Sequence, residues 1–397
     1  MSQPAVFEPC SGPTWRDPFQ MYAALREHDP VHHVEEGDYW VLSRFGHVFD
    51  AARDATTFSS TQGLTFTYGD MDLLEAGGVQ PMVMMDPPDH TAFRRTVGKG
   101  FSPRHVASLE GAIREFVVDR MERMRSEGEC DIVRELFKPL PSMVVAHFLG
   151  VPQADRGRFD RWTEAIVAAT AAGNTLSAGD AVGELFEYFT DLVERLRQSP
   201  GDDAVSHLIT ETEDEPSKSI LEVLGFAFTM ITGGNDTTTG LLGGSAELLT
   251  AWPEQRAVLR EEPTRIGPAV EELLRLTTPV QGLARTATRD VAYRDAIIPA
   301  GAKVMLLYAS ANRDRDEFGI DAEALDVERR PRRIVSFGYG PHHCLGAAVA
   351  RLQGRVALEE LLQRCPDFSV DAARGVFAPG HFVRRYESLP FDPVGLA

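Results

Sequence analysis

The stretch Phe337-Gly338-Tyr339-Gly340-Pro341-His342-His343-Cys344-Leu345-Gly346 decides how the rest of the chain is interpreted. Its two glycines and its proline are typical of a tight loop. Apolar residues then recur at helical spacing: Val349, Leu352, Val356 and Leu361. This periodicity predicts a helix over 346–364, with Cys344 at its amino-terminal end. There the helix dipole and free N–H groups favour the thiolate, the form that binds metals and attacks electrophiles.

Cys344 has two alternative interpretations. A single cysteine is more often a buried and inert side chain. A zinc site through His342, His343 and Cys344 is disfavoured, because adjacent ligands rarely reach one tetrahedral ion and no fourth ligand is suitably spaced. The whole pattern Phe-Gly-x-Gly-x-His-x-Cys-x-Gly separates these interpretations, since it resembles the haem-binding loop of cytochromes P-450. The resemblance implies that Cys344 is the proximal iron ligand, that Phe337 borders the cofactor and that His342 hydrogen-bonds a haem propionate.

Composition limits the class of protein. The 397 residues carry 40 basic and 59 acidic side chains, a net charge of −19, which disfavours nucleic-acid binding. No run of about 18 apolar residues and no signal-peptide pattern occurs, so we expect a soluble cytoplasmic protein. Four cysteines without a CxxC pair give no disulfide framework. The length permits two or three domains or one large one, and the resemblance implies a single cytochrome P-450 domain over 1–397.

Periodicity predicts a mainly α (α+β) fold. The β-rich runs Val31–Val34 and Tyr39–Leu42 flank a turn and predict a hairpin within a β-rich region at about 31–45. A second β-rich region is expected at about 280–310, with strands over 291–307. Helical spacing dominates about 91–276 and again about 346–364. Breaks in the first helical region are expected at Gly128, Pro139, Pro141, Pro152 and Gly173.

A long helix is predicted in the middle of the chain. The acidic segment 210–219 lacks apolar periodicity and predicts an exposed connection. Ser219 and Glu222 fit a capping box, and no proline follows until Pro253. Gly233-Gly234-Asn235-Asp236-Thr237-Thr238 contains poor helix formers, so a local bend is expected there. This segment resembles the oxygen-activating groove of cytochromes P-450, which implies that Thr237 holds the oxygen and an ordered water while Asp236 links that water to bulk protons.

Other charged residues match the same family. Glu272 and Arg275 share a helix face, and with Arg329 they resemble the family's structural Glu-x-x-Arg cluster. His90 with Arg94, and separately Arg285, resemble the family's propionate-binding residues. A solvated charged face would be the ordinary interpretation of these side chains if the cysteine loop were absent. The order and spacing of all these motifs resemble the soluble bacterial type of cytochrome P-450, and within it the actinobacterial family numbered 130.

The resemblance also implies a substrate pocket. Its expected boundaries are 61–85, 166–173, 230–237, 280–283 and Phe382. The expected lining is mainly apolar, with Gln281 and threonine residues as sparse polar contacts. Its apolar members are Phe66, Met84, Ile166, Val280, Leu283 and Phe382. Each of these side chains is individually compatible with ordinary core packing. A hydrophobic organic substrate follows from such a lining.

The sequence shows no dinucleotide-binding glycine fingerprint, so electrons are expected from other proteins. Basic residues gather in two groups: Arg94, Arg95, Lys99 and Arg104, and Arg329, Arg330, Arg332 and Arg333. They predict docking of an acidic ferredoxin, with its reductase and NAD(P)H upstream. The resemblance thus implies a monooxygenase with haem b as cofactor that inserts one oxygen atom from O2 into its substrate. The alternatives are a peroxide-dependent peroxygenase and a haem-based ligand-binding or sensor protein without turnover.

Overall fold

The computed structural model describes residues 5–68, 81–171, 179–201, 203–211, 216–294 and 296–394. Within these ranges it does not describe the side chains of residues 164, 166–171, 211 and 216–219. The described chain is mainly helical, with a smaller β-rich part, as the sequence predicts. None of the described helices is both long and apolar enough to cross a membrane.

Helices form most of the described chain. The α-helices are α1 (Phe19–His28), α2 (Phe45–Arg53), α3 (Asp89–Val97), α4 (Pro103–Ser108), α5 (Glu110–Glu127), α6 (Pro139–Phe148), α7 (Arg156–Ala171), α8 (Gly179–Gln198), α9 (Ala204–Glu211), α10 (Pro216–Ala251), α11 (Pro253–Glu261), α12 (Ile266–Thr277), α13 (Tyr308–Ala311), α14 (Arg315–Phe318) and α15 (Ala347–Arg364). A π-helical turn, Val133–Phe137, precedes α6. Short 3-10 turns include Gly98–Phe101 and Gly340–His342.

The strands are short. They are β1 (Val31–Val34), β2 (Tyr39–Leu42), β3 (Phe58–Ser59), β4 (Cys130–Asp131), β5 (Leu283–Ala287), β6 (Val291–Tyr293), β7 (Ala296–Ile298), β8 (Lys303–Leu306), β9 (Ser369–Val370), β10 (Val376–Phe377), β11 (Tyr386–Ser388) and β12 (Pro390–Asp392). The largest sheet has the order β1-β2-β8-β5-β3. It joins the predicted hairpin to the second β-rich region, because β2 pairs with β8 in parallel and β8 pairs with β5 antiparallel.

Helix α10 lies at the centre of the helical part. It packs against α6, α7, α9, α12 and α15. Helix α15 also packs against α5 and α12. Buried apolar residues of α5, α6, α10, α12 and α15 form a continuous core, and those of α7, α8 and α9 form a second cluster with the first half of α10. The loop before α15 and the middle of α10 are therefore held in fixed positions by the same core.

Two local predictions are wrong. The segment 210–219 is not one connection, because α9 continues to Glu211 and α10 begins at Pro216, three residues before the predicted cap. Proline fits the first helical position, since its missing N–H would have no partner inside the helix. For the same reason Pro139 begins α6 rather than breaking a helix, and Pro141 lies in its first turn. Gly128 does end α5, with a φ of 84°. Gly173 lies outside the described residues.

Candidate functional site

The cysteine loop has the tight geometry that its glycines predict. Gly338 and Gly340 have φ values of 63° and 71°, a region that other residues rarely adopt. A Cβ on Gly340 would also lie 2.7 Å from the carbonyl oxygen of Ala52, so the loop and α2 approach too closely for a side chain there. The backbone N–H of Cys344 donates to the Phe337 carbonyl at 2.9 Å. These contacts place Cys344 just before α15, as predicted.

The thiol of Cys344 faces an internal cavity. Burial raises the pKa of this thiol, while the Gly346 N–H and the charges of Arg94 and Arg351 act in the opposite direction. The Gly346 N–H at the helix end thus favours the thiolate, as predicted, while desolvation is the larger effect in the free side chain. A bound metal cation reverses this balance, since a coordinating thiol is deprotonated.

The cavity has a volume of about 270 Å³ and lies between α10 and the cysteine loop. Apart from Cys344, its polar lining includes His90, Arg94, Arg285 and His342, all from the predicted set of cofactor-binding residues. Phe337, from the same set, also lines it. His90 and Cys344, which are 254 positions apart in the sequence, thus line the same cavity. The remaining lining is mainly apolar.

The polar side chains of this cavity form a cationic group. His90 is 1% exposed, and neither of its ring nitrogens has a hydrogen-bond partner among the described residues. The His342 ring lies 4.2 Å from the His90 ring, and its Nε2 is 3.2 Å from the Ser60 hydroxyl. Burial, together with the charge of Arg285, lowers the pKa of His342 to about 3. Burial, with the charge of Arg94, also lowers the pKa of His90, so both imidazoles favour the neutral form beside two guanidinium groups.

This donor set fits haem. A haem carries two propionates, which guanidinium and imidazole donors bind well in a partly buried site. Neither ring nitrogen of His90 has a partner among the described residues, and a neutral imidazole has one N–H donor, which is available to a propionate oxygen. Cys344 supplies one sulfur ligand in the same cavity. The first cavity is thus lined by a sulfur ligand for the iron, by side chains that can donate to the propionates, and by apolar walls.

Helix α10 separates this cavity from a second one. Gly233, Gly234, Thr237 and Thr238 line the first cavity. The helix is unbroken through this segment, and the Thr237 hydroxyl donates to the Gly233 carbonyl at 2.7 Å, the local bond on which the predicted bend is based. Asp236 lies instead on a second cavity of about 350 Å³. The predicted acid and alcohol therefore face two different spaces.

The second cavity is polar. Its lining includes Asn235, Asp236, Ser142, Asp160 and Glu387. The side-chain oxygen of Asn235 is buried there without a partner among the described residues, which fits a space that holds water.

Asp236 is also one end of a chain of ion pairs. Its carboxylate lies 2.8 Å from the guanidinium of Arg385, which in turn lies 2.7 Å from Glu387. The Arg385 side chain is 5% exposed and the Glu387 side chain 46%, so the chain runs from the interior to the surface. Burial raises the pKa of Asp236, and the charge of Arg385 acts in the opposite direction.

The predicted structural cluster is present. Glu272 and Arg275 have fully buried side chains that form two hydrogen bonds of 2.7 Å. Arg329 approaches the same carboxylate at 3.2 Å and also pairs with Asp321. Arg275 further donates to the carbonyls of Asn312 and Ala322. The cluster ties α12 to the segment that leads into the cysteine loop.

The predicted pocket lining is partly wrong. Val280 and Leu283 line the first cavity, but Phe66, Met84, Gln281 and Phe382 do not. The Phe66 ring stacks on Tyr39 at 4.8 Å and contacts Phe382 at 5.4 Å, so the two phenylalanines pack with each other. Gln281 is fully buried and donates to the Thr278 carbonyl. The side chain of Ile166 and the residues 69–80 and 172–178 lie outside the described part of the chain.

Several lining residues have no signal in the sequence. Phe101, Val144, Phe148 and Phe226 all line the first cavity. The rings of Phe101 and Phe148 stack at 4.4 Å. Each belongs to an ordinary apolar pattern, so periodicity alone assigns it to the core.

The two basic groups differ from the prediction. Arg95, Lys99 and Arg104 are exposed, whereas Arg94 faces the first cavity. In the second group, Arg329 belongs to the buried cluster and Arg333 pairs with Glu317, which leaves Arg330 and Arg332 exposed. Glu272 and Glu317, which are distant in the sequence, thus neutralise part of the second basic group.

The chain is similar to known proteins over nearly its whole length. The sequence model of the family described as Cytochrome P450 matches residues 267–375. Cytochrome P450 130 of Mycobacterium tuberculosis is 56% identical over 393 residues, and the match covers 97% of each chain. Vitamin D(3) 25-hydroxylase of Pseudonocardia autotrophica is 36% identical, with 91% of this chain and 89% of that protein covered. Among solved structures, the bacillaene polyketide synthase cytochrome P450 PksS of Bacillus subtilis 168 matches with a TM-score of 0.87 at 32% identity, over 98% of this chain and 99% of that chain.

Proposed function

The chain belongs to the cytochrome P450 family and is a haem-thiolate monooxygenase, and on that premise we propose that Cys344 holds the iron of a haem b. The observation that carries this assignment is the single cavity in which the Cys344 sulfur meets His90, Arg94, Arg285 and His342. When bound, the haem supplies the activation of dioxygen, which its thiolate ligand promotes. His90 and His342 donate from neutral imidazoles to the propionates, and Arg94 and Arg285 balance the propionate charges.

The proposed roles of Asp236 and Thr237 follow from their positions on the two sides of α10. The Thr237 hydroxyl donates to Gly233, so its oxygen remains free to accept a hydrogen bond from water in the first cavity. Asp236 faces the polar second cavity, where its raised pKa helps it to take up a proton. In this proposal Asp236 collects protons and Thr237 positions the water that receives them.

The proposed substrate is a hydrophobic organic molecule. The walls beside α10 are apolar and aromatic, with Phe101, Phe148, Val280 and Leu283 among them. A relative whose name assigns it vitamin D(3), a molecule of this class, supports the proposal. A screen of lipids, sterols, aromatics and polyketides for shifts of the Soret band tests it. Apolar members should shift the band, and binding only by charged compounds would contradict the proposal.

Electrons are proposed to come from NAD(P)H through a ferredoxin reductase and an acidic ferredoxin in the cytoplasm. Arg95, Lys99 and Arg104 are exposed, and α4, which carries Arg104, packs against α15 directly after Cys344. Because salt screens exposed charges beyond about 8 Å, this local group decides docking more than the net charge of −19 does. Product formation with the three components distinguishes this reaction from a peroxide-driven reaction or from binding without turnover.

The Cys344→His variant tests the central assignment. Wild-type protein, reduced and exposed to carbon monoxide, should show the red-shifted Soret band of a thiolate-ligated haem, and the variant should lose it. Cys365→Ser is a suitable control, because Cys365 is buried at the end of α15 and does not line the cavity. Retention of the red-shifted band in Cys344→His would refute the assignment.

A further inference from the structure

Arg351 lies on α15, seven residues after Cys344. Its guanidinium carbon is 4.6 Å from the centroid of the Phe337 ring. Glu271, on α12, holds the same guanidinium with two hydrogen bonds, one of them 3.1 Å long. The side chains of Arg351 and Glu271 are 38% and 31% exposed, so both are partly shielded from water.

Phe337 connects this ion pair to the thiol. Its ring lines the first cavity, and its carbonyl accepts the hydrogen bond from the Cys344 N–H. Phe337 therefore lies between the Arg351 guanidinium and the cavity that Cys344 lines. The Glu271 carboxylate, bonded to the same guanidinium, offsets its charge there.

A charge at this position has a defined electrostatic consequence. Reduction of a haem adds one negative charge to the iron and its thiolate, so a nearby positive charge favours the reduced state and a negative charge opposes it. Arg351 alone would therefore raise the reduction potential, and Glu271 alone would lower it.

We propose that the Glu271–Arg351 pair sets the reduction potential of the haem bound at Cys344 through the balance of charge that it holds against Phe337. The inference rests on the proposed ligation by Cys344 and adds to it two residues outside the cavity. Arg351 and Glu271 are positioning residues here, since neither reaches the reacting atoms. Their effect depends on the sign of the charge that remains when one partner is removed.

Two single variants test the proposal on purified holoprotein without substrate. Arg351→Gln leaves Glu271 uncompensated and should lower the potential, whereas Glu271→Gln leaves Arg351 uncompensated and should raise it. Each shift should be about threefold in the reduction equilibrium constant, or about 28 mV, because tenfold corresponds to 59 mV for one electron. The partial exposure of the pair keeps the effect below tenfold. The double variant should return close to the wild-type potential.

Arg355 supplies a matched control on the same helix. Its side chain is 30% exposed and pairs with Glu110 at 2.6 Å and with Glu359 at 2.9 Å, and Arg355 does not line the cavity. Arg355→Gln removes the same charge from α15 at a site not stacked on Phe337, so the potential should stay unchanged. Arg351→Lys keeps the charge and should retain most of the wild-type potential.

Spectroelectrochemical titration at one ionic strength measures the reduction potential of the wild-type protein and of each variant. A purely structural role would shift both single variants in the same direction, and this result would overturn the proposal. Equal shifts in Arg351→Gln and Arg355→Gln, or no shift in either Glu271 or Arg351 variant, would also overturn it. The ferrous carbonyl spectrum distinguishes a failure of the ion-pair proposal from a failure of ligation by Cys344. Absence of the red-shifted band in wild-type protein would refute ligation itself.

Discussion

Replacing Arg385 by Gln should destabilise the protein in a way that depends on pH. Arg385 lies 2.8 Å from the carboxylate of Asp236, and their side chains are 5% and 17% exposed. Removing one partner of a buried ion pair costs about 3–5 kcal/mol, because the other charge remains buried without compensation. We expect a loss of this size in the free energy of unfolding of Arg385→Gln at neutral pH.

The sign of the pH dependence follows from Asp236. Burial raises the pKa of this carboxyl above its ordinary value of 3.8, and loss of Arg385 removes the charge that opposes the shift. A carboxyl whose pKa is higher in the folded state than in the unfolded state binds protons more tightly when folded, so the folded state loses stability as pH rises through that pKa. The deficit of Arg385→Gln should therefore be small in acid and largest at neutral and alkaline pH.

Denaturant unfolding of the holoprotein, followed by circular dichroism at several pH values, measures this deficit. The double variant Asp236→Asn with Arg385→Gln is the control, since it removes the uncompensated charge and should recover most of the loss at every pH. Glu387 is half exposed and should contribute little to the difference. A deficit of equal size across the pH range, or no recovery in the double variant, would refute the reasoning.

Three further predictions concern the neighbouring sites. Thr237→Ala should retain haem but divert NAD(P)H consumption into peroxide, which a peroxide assay beside product analysis measures; unchanged coupling would contradict its role. Glu272→Gln leaves the fully buried Arg275 without its carboxylate and should cost about 3–5 kcal/mol in unfolding free energy, with a lower yield of haem-loaded protein. Reversing the charge of Lys99 or Arg104 to Glu should slow reduction by an acidic ferredoxin and weaken its salt dependence in stopped-flow measurements, while the haem spectrum stays the same.

Much of the fold is visible in the sequence where local rules act. The hairpin Val31–Val34 and Tyr39–Leu42 is predicted to the residue, because β-rich runs and a short turn between them suffice to specify it. The loop before Cys344 is equally predictable, since Gly338 and Gly340 adopt the backbone angles that favour glycine. The helices α12 and α15 follow from apolar periodicity. In all these cases the deciding residues are neighbours in the chain.

The failures concern properties that depend on distant residues. Phe66 and Phe382 have the composition of a pocket lining, but they pack against each other, a contact across more than 300 positions that no local pattern encodes. Arg333 belongs to a basic run in the sequence, yet Glu317, 16 positions away, pairs with it.

Asp236 and Thr237 are adjacent in the sequence, but on α10 they line different cavities. Successive residues of an α-helix point about 100° apart, so Asp236 and Thr237 reach opposite cavities without any break in the helix. Gly233 and Gly234 line the first cavity, and a Cβ on Gly234 would lie 2.7 Å from the side chain of Val145 on α6. Thr237 therefore borders the first cavity while Asp236 stays in contact with polar surroundings.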